Sequence, residues 1–152
     1  MINKDITTAA AELIKKWENF KSNAYLCQAG QWTIGYGTTG SWVKKGVSIT
    51  KERAEELLLE RIQVDYDYLK KLGLKLNANQ FGAVLSFMYN TKRDAFNSST
   101  LLVCLKSKNY EGAAEQFLRW KYYTDPVTKE KKVSNGLLNR RIDEKNLFLK
   151  PV

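Results

Sequence analysis

Between Trp17 and Gly40 the hydrophobic period of the chain changes, and that change constrains the fold more than any other feature. Up to Trp17 the apolar residues Ile6, Ala10, Leu13, Ile14 and Trp17 recur at helical spacing, which predicts an amphipathic helix from about Thr7 to Asn19. Beyond it Tyr25, Cys27, Trp32, Ile34 and Tyr36 alternate around Gln28–Gln31, the pattern of a β-hairpin. Gly35, Gly37, Gly40 and Gly46 then punctuate a further short strand or loop. A two-stranded hairpin is marginal in water by itself, so this segment must lean on a larger body. It is expected to form a sub-lobe at about 20–49, with a cleft where lobe and body meet.

The rest reads as helix. Thr50 is placed to cap a helix running to about Leu72, with Ala54, Leu57, Leu58, Ile62, Tyr66 and Leu69 on its apolar stripe and Gly73 at its end. Asn77–Gln80 has the form of a capping box before FGAVLSFMYN, a helix apolar on most sides and therefore central. Ser98 or Ser99 starts a helix around Thr100–Ser107, and Asn109 caps another to about Trp120. DPVTKEKK reads as a charged turn or small exposed hairpin. The last helix follows Asn135, with Leu137, Leu138, Ile142, Leu147 and Phe148 expected on its buried side. One helix, a small sheet near the N-terminus and four or five further helices make an α+β architecture. With 152 residues and no repeat or linker, 1–152 is expected to be a single domain.

Composition removes several chemistries. The chain has no histidine, which excludes any triad that needs a histidine base, and its two cysteines, Cys27 and Cys104, are far apart in sequence. No metal site and no cofactor are implied. Catalysis would rest on carboxylates, a thiol or hydroxyls. The net charge of +9 suits a polyanionic partner as well as plain solubility. Charge alone is the whole case for nucleic acid, because no recognition module accompanies it. No apolar run is long enough to span a membrane, and MINKDITTAAAELIKKW lacks the core of a secretory signal, so a cytoplasmic start is expected.

Glu18 falls at the junction of helix and hairpin, on the wall of the expected cleft. Partial burial and the negative end of the helix both disfavour its charge. Counting onward, eight residues separate Glu18 from Cys27 and five separate Cys27 from Thr33. With LIKKWENF, WTIGYGTTG, QFGAVLSFMYN, AFNSSTLL and GLLNRRIDEKNLFL in this order, the chain resembles the phage-type lysozymes (endolysins) of glycoside hydrolase family 24. That family carries a glutamate, eight residues, an aspartate or sometimes a cysteine, five residues and a threonine. The likeness covers about Ile6 to Leu149.

The resemblance implies a lysozyme-like fold with a small β-lobe beside a helical lobe, and hydrolysis of the β-1,4 bond between N-acetylmuramic acid and N-acetylglucosamine in peptidoglycan. Glu18 would be the general acid, and Thr33 would position the attacking water. Cys27, where aspartate is usual, would act as base, as nucleophile or not at all. An arginine from the C-terminal helix, Arg140 or Arg141, would approach Glu18, or pair instead with Asp143 and Glu144. Tyr25, Trp32, Tyr36 and Asn90 are candidates for the saccharide groove. Cys104 reads as core. The family reading further implies a monomer, made in the host cytoplasm and released to the periplasm with a holin-type partner. A domain that binds peptidoglycan or a protein without cleaving it is the alternative.

Overall fold

A computed structural model describes residues 3–27 and 30–152. The first helix, α1 (Lys4–Glu18), begins before the expected Thr7 because the Asn3 side chain accepts from the backbone N–H of Asp5 and caps it. It ends at Glu18 because Asn19 leaves the helix at φ 51° and ψ 143°. Ile6, Ala10, Ala11 and Ile14 form its buried stripe.

The hairpin follows as β1 (Lys21–Leu26) and β2 (Trp32–Gly35), antiparallel, with Tyr25 opposite Thr33 and Leu26 opposite Trp32. Residues 28 and 29 of the expected turn lie outside the described residues; Cys27 closes the turn from both ends, donating to Gln31 O and accepting from Gly30 N. On its other edge β1 is bonded to the segment around Val47–Ile49, through Ala24 N to Val47 O and Ile49 N to Ser22 O, both 2.9 Å. Alternation predicts one wet and one dry face for β2. Instead Thr33, Ile34, Gly35 and Tyr36 are all buried, because a helix packs closely on the far side: a Cβ on Gly35 would lie 3.1 Å from Ala54 Cβ.

That helix is α2 (Lys51–Lys71), capped by Thr50 and ended at Leu72 and Gly73, as the sequence predicts. Both halves of the Asn77–Gln80 capping box are formed at the start of α3 (Ala78–Thr91). Phe81 to Tyr89 are buried without exception, so α3 is the axis of the molecule. It approaches α1 closely at Gly82, where a Cβ would fall 2.8 Å from Ala9 Cβ.

α3 stops at Lys92, which has φ 79° and ψ 160°. This region is essentially reserved for glycine, and a side chain there costs on the order of 1–3 kcal/mol. Lys92 accepts the conformation because two helices abut on it. Its N–H donates to Met88 O, and its carbonyl accepts from Phe96 N to open α4 (Arg93–Asn97), a short helix that the hydrophobic period did not predict. Ser99 caps α5 (Thr100–Lys106) and Asn109 caps α6 (Tyr110–Phe117). α6 ends short of Trp120, whose ring packs edge-on against Phe87 at 5.3 Å.

A second hairpin, β3 (Tyr122–Thr124) with β4 (Lys131–Val133), is exposed throughout, so strand is not confined to the N-terminal part. α7 (Asn135–Leu149) corrects another expectation. Phe148 is buried, but Leu137, Leu138 and Leu147 are only half-buried and Ile142 is 38% exposed. The face turned inward carries Arg140, Arg141 and Glu144 instead. Among the described residues no helix is long and apolar enough to cross a membrane.

Candidate active site

Two contacts dock the last turn of α1 onto α7. Asp143 Oδ2 accepts from Trp17 Nε1 at 3.0 Å and pairs with Lys16 at 2.7 Å. Glu18, the next residue after Trp17, is thereby carried to the inner face of α7, where Arg140 Nη1 lies 2.8 Å from its Oε2. The other carboxyl oxygen faces the hairpin lobe, and a Cβ built on Gly37 would come 2.7 Å from Glu18 Oε1. Gly37 has φ +82°, so both its backbone and its missing side chain are needed here. The Glu18 carboxyl is therefore held between a guanidinium on one lobe and a bare backbone on the other, with its side chain still 21% exposed.

Gly37→Ala is expected to destabilise the fold by about 1–3 kcal/mol in urea titrations, from backbone strain at positive φ. A crystal structure of that variant should show the Glu18 carboxyl displaced and its 2.8 Å contact with Arg140 broken.

Behind Arg140 lies a buried polar cluster. Its Nε reaches Glu144 Oε2 at 3.4 Å and its Nη2 donates to the Ser86 carbonyl at 3.3 Å. Ser86 Oγ donates to Glu144 Oε2 at 2.6 Å. Arg141 is fully buried on the same carboxylate: its Nη2 is 3.3 Å from Oε2, and its Nε is 2.8 Å from Oε1 at an angle too poor for a hydrogen bond. Arg141 also donates to Asn90 Oδ1 at 2.9 Å. Of the two expected partners, then, Arg140 meets Glu18 and Arg141 does not. Arg140 divides its charge between Glu18 and Glu144.

The hairpin residues separate by depth. Tyr25 is exposed at the lobe's surface and Trp32 is half-buried. Burial pushes the Tyr25 phenol up, and the charges of Glu18 and Cys27 add to it. Cys27 is half-buried beside the turn. Thr33 is 5% exposed, with its hydroxyl donating to the Gln31 carbonyl at 3.1 Å. Tyr36, expected in the groove, is 4% exposed and stacks at 5.7 Å on Phe20, so its ring belongs to the core. Asn90 is half-buried and engaged by Arg141. Cys104 is buried, as expected of a core residue.

Tyr89 and the chain of contacts that leads away from it were not singled out from the sequence. The Tyr89 hydroxyl donates to the Tyr36 carbonyl, and the phenol is pushed up to about 12, chiefly by burial and next by the Glu18 charge. Arg61 stacks on the Tyr89 ring at 5.2 Å and pairs with Asp65 at 3.1 Å. Arg93 shares Asp65 at 3.3 Å and stacks on Tyr68 at 4.1 Å. The site thus joins one part-shielded carboxyl, two phenols that stay protonated at neutral pH, a thiol and several cations. Such a set can donate a proton to an uncharged ether oxygen and assist water.

Comparison with known proteins agrees with this arrangement. Residues 15–144 match the family model described as phage lysozyme. The chain is 39% identical over 137 residues to an endolysin of Acyrthosiphon pisum secondary endosymbiont phage 1, covering 90% of this chain and 92% of that one. It is 40% identical over 148 residues to an endolysin of Bacillus phage B103, covering 95% of this chain but 54% of that protein, so it spans about half of that relative's length. The muramidase domain of SpmX from Asticaccaulis excentricus superposes with a TM-score of 0.86 and 31% identity over 99% of both chains.

Proposed function

The chain belongs to the phage lysozyme family, and from that premise we propose that Glu18 is the general acid of a muramidase that cleaves the β-1,4 bond after N-acetylmuramic acid. The chain is a glycosidase of the endolysin type, acting on the peptidoglycan of the bacterial cell wall. Its catalytic unit is the whole of 1–152.

One observation carries the assignment of the acid: Arg140 clamps Glu18 at Oε2, 2.8 Å away, and leaves Oε1 facing Gly37, where no side chain stands in the way. A general acid must be held within hydrogen-bond reach of the oxygen it protonates, and this clamp supplies that restraint. As the bond to the leaving N-acetylglucosamine breaks, the Glu18 proton passes to the leaving oxygen. Water attacks the muramic acid carbon, with Thr33 positioning it and Cys27, as its thiolate, taking its proton. Tyr25 and Trp32 border the saccharide groove.

The assignment of Cys27 is tested by clearing of permeabilised Gram-negative cells and of purified peptidoglycan. Cys27→Ala should slow clearing by about 10²-fold or more, the usual contribution of a positioned base. Cys27→Asp should retain activity and survive thiol alkylation, which should inactivate the parent protein; Cys104 is buried and reacts slowly. An alanine variant as fast as the parent would remove the thiol from the mechanism. In the cell the protein works as a monomer, made in the host cytoplasm and reaching the wall once a holin-type partner opens the membrane.

A further inference from the structure

The arginines that meet Glu18 and Asp65 are held in ion pairs. Among the described residues Arg140 pairs with Glu18 and Glu144, and Arg61 and Arg93 both pair with Asp65. Lys92 makes no salt bridge and no side-chain hydrogen bond among those residues, although it lies within electrostatic reach of Glu18, Asp65 and Cys27. The residue as a whole is exposed, yet its amine is pushed below the ordinary lysine range, first by partial desolvation and next by Arg61. It also stands in a backbone conformation, φ 79° and ψ 160°, that glycine would occupy without strain. A strained residue kept beside a reacting group points to a use for its side chain.

We propose that Lys92 reads the substrate's charge, its ammonium pairing with a carboxylate of the peptidoglycan strand as the strand settles between Glu18 and Cys27. This rests on the muramidase reading, since it takes the occupant of the cleft to be a wall glycan. Peptidoglycan differs from a neutral N-acetylglucosamine polymer by peptide stems that carry carboxylates, each joined through an amide to the lactyl group of muramic acid, whose own carboxyl is free only where no stem is attached. A part-desolvated ammonium that makes no salt bridge among the described residues is suited to that difference, because the incoming anion adds a pair without having to break one of those.

The test measures binding in a Glu18→Gln background, using a soluble disaccharide-peptide fragment with its carboxylates free or converted to amides. Lys92→Ala and Lys92→Gly should each weaken binding of the free-carboxylate fragment about tenfold, equivalent to about 1.4 kcal/mol, and Lys92→Arg far less. The amidated fragment should bind all four proteins alike. Only Lys92→Gly should raise Tm, by about 2–4 °C, because it alone relieves the backbone. A stem-free disaccharide, whose lactyl carboxyl is then free, extends the test: loss of the tenfold difference confines the contact to stem carboxylates, and its persistence shows that Lys92 also takes the lactyl carboxylate of stem-free strands. Unchanged affinity in the alanine and glycine variants, or equal losses on the amidated fragment, would overturn the proposal. Hydrolysis is scored separately in proteins that retain Glu18, so a chain that bound these fragments but cleaved nothing would refute the acid and leave this contact standing.

Discussion

Glu18→Gln is expected to lower the rate of peptidoglycan cleavage by about 10³-fold, within the range set by losing a positioned general acid. The change keeps the shape of the side chain and its acceptor oxygen, so Arg140 retains a partner at Glu18 and its second carboxylate at Glu144. Thermal unfolding and circular dichroism should therefore match the parent closely, while KM changes little. That split separates a proton donor from a residue that merely braces the cleft. A loss of both stability and binding, with the rate per bound substrate unchanged, would assign Glu18 a structural part.

The second large effect lies behind the site. Glu144→Leu, close in volume but without an acceptor, leaves the guanidiniums of Arg140 (4% exposed) and Arg141 (0% exposed) facing each other with their common anion gone. Removing one member of a buried charge group costs about 3–5 kcal/mol, a large fraction of the 5–15 kcal/mol that holds an ordinary domain together. Urea titration should show that loss, and Glu144→Gln, which keeps one acceptor oxygen, should lose much less. The pH dependence has a definite sign. Burial pushes the Glu144 carboxyl up, against the pull of Arg141, Arg140 and the Ser86 hydroxyl. A folded value above the unfolded one means the native state binds this proton more tightly. The contribution is thus fully present below the ordinary glutamate range and declines as the pH rises toward the folded value. Stability of the parent relative to Glu144→Gln should fall over that window. The cluster also serves placement: it fixes Arg140, and through it Glu18.

The parts of the fold that hydrophobic period and caps dictate were legible in the chain. Thr50, the Asn77–Gln80 capping box and Ser99 each start the helix their chemistry predicts, and the run Phe81–Tyr89 is buried as an all-round apolar helix must be. The junction of helix and hairpin that carries Glu18 was legible too, because a change of period marks it. α7 was misread because periodicity arguments count only apolar residues. Its inward positions 140, 141, 144 and 148 keep helical spacing, but three of them are charged and are stabilised by one another. The i, i+3 and i, i+4 spacing of Arg140, Arg141 and Glu144 was the available signal. Tyr36 went to the core because β2 is covered on both sides, which no local pattern in a short strand reveals. Lys92 was invisible for the opposite reason: its position calls for glycine, and the chain supplies lysine.

The central claim, hydrolysis at muramic acid with Glu18 as the proton donor, is tested most directly by digesting purified peptidoglycan in oxygen-18 water and weighing the fragments. The account predicts one labelled oxygen at the reducing-end muramic acid of each new fragment, and almost none with Glu18→Gln. Unlabelled anhydro ends, label on N-acetylglucosamine, or an equal yield from Glu18→Gln would contradict it.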